Sequence, residues 1–143
     1  MRGKGMKTIE TTIYVEPTPK GRPRFAIVGG HARAYTPTKT RLSEAEIHVA
    51  IRDEVMRHGK FEAGIPLRLD VTFWLRKPAS KPKKITMPTC KPDVDNFLKT
   101  VCDSLNGYVW HDDSQLVSIN AKKRYCLNGD CPRIELRIRE EIE

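Results

Sequence analysis

Between Lys91 and Lys99 the chain reads Lys-Pro-Asp-Val-Asp-Asn-Phe-Leu-Lys, so Asp93 and Asp95 stand two residues apart with a lysine soon after. In an extended segment, side chains at that spacing point the same way. If a helix begins at Asp95, Lys99 lies one turn further along on the same face. Two carboxylates held close together repel each other, and a cation between them relieves the repulsion. Hard oxygen donors with room for water suit Mg²⁺, which keeps several waters and takes one or two protein carboxylates. Mn²⁺ would accept the same donors. The chemistry this segment offers is metal-assisted hydrolysis. A simpler reading stays open: Asp is a favoured N-cap, and Asp95 could be one beside a solvated neighbour.

A second acidic pair, Asp112 and Asp113, follows in Trp110-His-Asp-Asp-Ser-Gln115. It falls in the short connection after the second expected helix. It would join Asp93 and Asp95 only if the sheet brought that turn back to the start of the helix. Asp is also common in plain polar turns, so that reading stands beside the first.

The third chemical feature is basic. Lys20, Arg22, Arg24, Arg33, Lys39 and Arg41 cluster in and around one loop. With 26 Lys and Arg against 18 Asp and Glu, the net charge is +8, an excess that favours a polyanionic partner. Arg and Lys hold phosphates without reading sequence, although a charged loop can simply be solvated. Phe25 and Tyr35, interleaved among them, could stack on exposed bases.

These residues need elements to carry them. Four stretches alternate apolar and polar residues as half-buried strands do: Ile9 to Val15, Leu67 to Arg76, Val117 to Ala121, and Arg133 to Arg139. Thr36-Pro37 offers a helix start, Ile47, Ile51 and Val55 repeat at helical spacing, and Gly59 can end that helix. A second helix is predicted from near Asp95, with Phe97, Val101 and Leu105 on one side and Asn106-Gly107 at its end. The order is strand, helix, strand, helix, strand, strand. It predicts a two-layer α+β (α/β) domain: a mixed or antiparallel sheet of about four strands, with two helices packed on one face and the other face open. At 143 residues a single domain spanning 1–143 is expected. Pro17 to Thr38 and Arg76 to Pro92 read as long surface loops, the second carrying Pro78, Pro82, Pro88 and a Lys81, Lys83, Lys84 cluster.

No apolar run approaches the ~20 residues a membrane span needs, and no apolar segment follows the basic start. A cytoplasmic protein is expected, with no membrane partner. Its four cysteines should then be free thiols, and neither Cys126 with Cys131 nor the four histidines show zinc-ligand spacing.

The stretch Asp93-Val-Asp95-Asn96-Phe-Leu-Lys99, the helix with Asp103 and Leu105, the Asn106-Gly107 ending, Trp110, and Asp112-Asp113-Ser-Gln-Leu-Val117 together resemble the RusA family of Holliday-junction resolvases. Lys20-Gly-Arg22-Pro-Arg24-Phe25 and Tyr35-Thr-Pro37 resemble its prophage-type members, and the match runs from about residue 9 to 139. The resemblance implies that Asp93, Asp95 and Asp113 are the essential acids, that Lys99 is the catalytic lysine, and that Asp112 is a secondary metal ligand. Some members carry arginines directly before the first Asp; here Cys90, Lys91 and Pro92 stand there, and Lys91 is the residue able to contact DNA. It implies a homodimer that binds a four-way junction and makes paired symmetric nicks using Mg²⁺, with no small-molecule cofactor. The alternatives are a non-catalytic binder of branched DNA on the same fold and a metal nuclease acting on flaps or forks.

Overall fold

The computed structural model describes residues 7–21, 24–35, 38–127 and 129–142. Its centre is the strand with the cleanest alternation. In chain order the elements are β1 (Thr8–Ile13), β2 (Arg24–Val28), β3 (His31–Tyr35), helix α1 (Thr38–His58), the central strand β4 (Leu67–Leu75), α2 (Val94–Leu105), β5 (Leu116–Tyr125) and β6 (Arg133–Glu140). Leu67, Leu69, Val71 and Phe73 of β4 are buried, while Arg68, Asp70, Thr72 and Trp74 face the opposite way.

The main sheet has the order β1-β6-β4-β5. β6 is antiparallel to both β1 and β4, whereas β5 runs parallel to β4. Ile9 and Ile13 of β1 and Ile134, Leu136 and Ile138 of β6 extend the apolar face of β4. Ile47 and Ile51 of α1 and Phe97, Val101 and Leu105 of α2 close over it. The fold is therefore α+β, with a mixed four-stranded sheet and two helices, as the periodicities predicted.

A parallel β4–β5 pair requires a crossover, and α2 is that crossover. The helix leaves the carboxyl end of β4 and must run back to reach the amino end of β5. Its start and its end consequently lie at opposite edges of the domain. Gly59 ends α1 with a positive φ of 79°, and Gly107 follows α2 with 76°. Both act as helix stops where expected.

Two expectations need correcting. The segment from Pro17 to Thr38 is not wholly loop: β2 and β3 form an antiparallel hairpin with Val28 opposite His31. Gly29 and Gly30 make its turn with φ of 58° and 81°, values that a two-residue hairpin turn of this hand requires. In β5, Val117 and Ile119 do not face a covered core; they are 59% and 46% exposed. The cause is twofold. The pairing slips by one residue between Leu67–Leu116 and Arg68–Ser118, which leaves Val117 out of register, and β5 is an edge strand that the helices only partly cover. Thr36-Pro37, the expected start of α1, lies outside the described residues.

Candidate active site

Asp93 is the N-cap of α2, and the helix begins at Val94 rather than at Asp95. The Asp93 side chain makes no capping hydrogen bond, so its carboxylate is left free at the positive end of the helix. Asp95 stands in the first turn and Lys99 one turn later; all three are exposed. The segment that presents them is held from below. Lys123 of β5 donates to the carbonyl oxygens of Cys90 (2.7 Å) and Pro92 (2.9 Å). Lys123 shares the helix-facing side of its strand with Ala121 and Tyr125, opposite Phe73. A lysine on that side is the sequence signal that could have exposed this positioning role.

Asp112 and Asp113 lie at the other end of α2, in a 3₁₀ turn, Asp113–Gln115. Asp112 caps this turn: its side chain accepts from the Ser114 backbone N–H at 3.0 Å, and the Gln115 side chain accepts from the Asp112 backbone N–H. The hydrogen bonding from Ser114 holds the Asp112 carboxyl below the usual Asp range. Gln115 is buried and donates to the carbonyls of Glu62 and Ile65, which fastens the turn to the body.

Asp113 is different. The fully buried Trp110 donates its indole N–H to Asp113 Oδ1 at 2.7 Å. Burial pushes the Asp113 carboxyl above the usual Asp range, the Trp110 hydrogen bond pulls it back, and the charges of Asp103 and Asp112 push it further up. The neighbouring Cys102 thiol is pushed up to about 12 by burial and by Asp113 and Asp103. Asp113 therefore faces the last turns of α2, beside Cys102 and Asp103. A half-buried carboxylate with acidic neighbours is a group that a bound cation would relieve.

Asp93 and Asp113 thus mark the two ends of a 12-residue helix, about 18 Å long at ~1.5 Å per residue. Among the described residues no three Asp, Glu, His or Cys side chains form a group that could hold a metal ion. Asp93 with Asp95, or Asp113 with its neighbours, supplies the one or two carboxylates that Mg²⁺ takes from a protein. The donor chemistry fits the metal, while one copy of the chain keeps its acids in two stations.

The basic residues divide as well. Lys20 reaches Glu44 of α1 at 2.8 Å and Asp103 of α2 at 3.0 Å, and its backbone N–H donates to the Asn96 carbonyl. Its charge is committed to tying the loop across both helices. Lys39, Arg41, Lys91 and Arg33 are exposed, and none has an ion pair among the described residues. Arg22 lies outside the described residues, as do the side chains of Arg24, Phe25 and Tyr35.

Carboxylates at both ends of one crossover helix, a lysine between them and exposed cations around them make up the candidate site. A family profile described as Endodeoxyribonuclease RusA matches residues 15–139, and the chain belongs to that family of endodeoxyribonucleases. It is 33% identical over 142 residues to the uncharacterized protein YqaN of Bacillus subtilis (strain 168), covering 94% of this chain and 98% of that protein. It is 40% identical over 83 residues to the crossover junction endodeoxyribonuclease rusA of Lactococcus phage r1t, covering 56% of this chain and 59% of the phage protein. No helix among the described residues is long and apolar enough to cross a membrane.

Proposed function

We propose that this chain is a Mg²⁺-dependent endonuclease that resolves four-way DNA junctions by paired symmetric nicks, acting as a homodimer in recombination and repair. The observation that carries the reading is the free Asp93–Asp95 pair at the amino end of α2, with Lys99 one turn on, in a chain of the RusA family. Asp93, Asp95 and Asp113 would hold the metal. When bound, Mg²⁺ supplies an activated water and offsets charge on the phosphate. Lys99 stabilises the negative charge that grows on the phosphate oxygens during cleavage. Lys39, Arg41, Arg33 and Lys91 hold the backbone of the arms without reading sequence.

The separation of the two stations supports the homodimer. A two-fold axis beside α2, with the two copies of that helix antiparallel, places the Asp93 end of one copy next to the Asp113 end of the other. It does so twice, giving two equal sites to a substrate with two equal strands. Val117 and Ile119, exposed on the edge strand beside α2, provide apolar surface for such a contact. The four free cysteines accord with the reducing cytoplasm as the setting.

The test is to incubate the purified protein with an end-labelled four-way junction while titrating Mg²⁺ or Mn²⁺ against EDTA. Nicks at symmetric positions that appear with metal and vanish with EDTA support the reading. Junction binding with no nicking at any metal concentration would replace it with a non-catalytic branched-DNA binder.

A further inference from the structure

We infer that the cavity beside the amino end of α2 is a nucleotide pocket that takes one unstacked base next to the scissile phosphate; this rests on the proposed nuclease reading and deepens it. The cavity measures about 320 Å³. That lies at the lower end of the ~300–1,000 Å³ typical of small-molecule sites, a fit for one nucleoside rather than a larger ligand. Its apolar lining includes Leu75, Pro88, Pro92, Phe97 and Tyr125. Phe97 and Tyr125 are nearly inaccessible, so they form the floor. Lys39, Arg76 and Lys91 contribute cationic groups to the lining, and none of them has an ion pair among the described residues. Glu16 is the carboxylate in the lining and supplies an acceptor for an exocyclic amino group.

Three features select a nucleotide as the occupant. An apolar lining can cover the face of any base, and cations at the same opening match its flanking phosphates. The pocket is also continuous with the acids. Lys91 and Pro92 line it and Asp93 is the next residue, so a base seated here leaves its phosphate at the carboxylates. The third feature is the substrate. Pulling a base out of a stacked duplex is costly, and the cost is least where stacking is already interrupted. The crossover of a branched DNA is such a point. The pocket therefore adds a reason why a branched substrate would be cut and a continuous duplex spared.

The experiment uses four-way junctions with 2-aminopurine placed singly at each position around the crossover, bound to the full chain in EDTA, followed by cleavage of the same junctions in Mg²⁺. The expected result is a change in 2-aminopurine emission at one position adjacent to the nick, where the other positions stay unchanged. Cys90 is an exposed residue of the lining, and Cys90→Trp fills the cavity without altering an acid. This variant should lose the emission change and cleave roughly 10-fold more slowly, because the base no longer has room to seat beside the acids. Lys91→Ala, which leaves the walls intact, should weaken binding while keeping the emission change. Wild-type cleavage with no emission change at any position overturns the pocket and leaves the nuclease reading standing. An emission change with no cleavage in any metal supports the pocket and overturns the nuclease reading. If Cys90→Trp instead abolishes dimerisation, a second copy occupies the cavity and the inference fails.

Discussion

Asp93 occupies a capping position without capping, and that distinguishes it from an ordinary helix-start aspartate. Asp112 shows the ordinary case in the same molecule, its carboxylate accepting from the Ser114 backbone N–H in the turn it begins. The pair at Asp93 and Asp95 was legible as chemistry from spacing alone. Which aspartate would be the cap was not, because cap geometry depends on where the helix starts, and the start moved by one residue. Replacing Asp93 by Asn removes a proposed metal donor and a negative charge that makes no capping hydrogen bond. Cleavage of a junction should be lost while binding is unchanged or tighter; wild-type turnover by Asp93→Asn with metal present would take this residue out of the site. Lys99→Ala should slow cleavage by ~10²–10³-fold, the usual consequence of removing one group that stabilises transition-state charge, with little change in junction affinity. A large affinity loss at unchanged turnover would make Lys99 a phosphate contact instead.

At the level of elements, α2 explains what the sequence could not disclose about the acids. Its apolar stripe, Phe97, Val101 and Leu105, was readable, and so was its end at Asn106-Gly107. That it would be a crossover between parallel strands was not, since the direction of β5 is set by pairing with β4 and not by the residues of β5 themselves. This direction is what parts Asp93 from Asp113. Gly29-Gly30 marks the turn of the β2–β3 hairpin, but the basic, proline-containing composition around it masks the strand pattern. Lys20 illustrates the opposite case. It belongs to a basic cluster that looked ready for DNA, yet it bridges Glu44 and Asp103 and so joins the loop to both helices. Lys20→Met should lower stability by about 1 kcal/mol, since the ion pairs it removes are partly exposed, and should scarcely change the salt dependence of DNA binding. Thermal unfolding and a salt titration together check this; an unchanged melting temperature with a shallower salt slope would return Lys20 to the DNA-contact group.

For the whole molecule, the decisive property is that one copy holds its acids in two stations. If the working sites form between copies, two inactive variants can complement each other. Mixing Asp93→Asn with Asp113→Asn protomers leaves, in each mixed dimer, one site with both aspartates intact. Such a mixture should recover nicking activity, and the nicks should be single rather than paired. No recovery from verified mixed dimers would mean that each copy carries its own complete site. Selectivity follows from the same geometry. A chain of net charge +8 binds any nucleic acid at low salt, because each neutralised phosphate releases counterions. That attraction cannot tell a junction from a duplex, whereas two subunits gripping several arms at once can, since linked contacts raise affinity only for substrates that engage both. The most direct measurement is cleavage of labelled four-way junction in Mg²⁺ at near-physiological salt, with excess unlabelled duplex or unlabelled junction as competitor. The expected result is paired nicking that unlabelled junction suppresses and duplex does not. Equal competition by duplex, or cutting of linear duplex under the same conditions, would contradict the assignment of this chain as a junction resolvase.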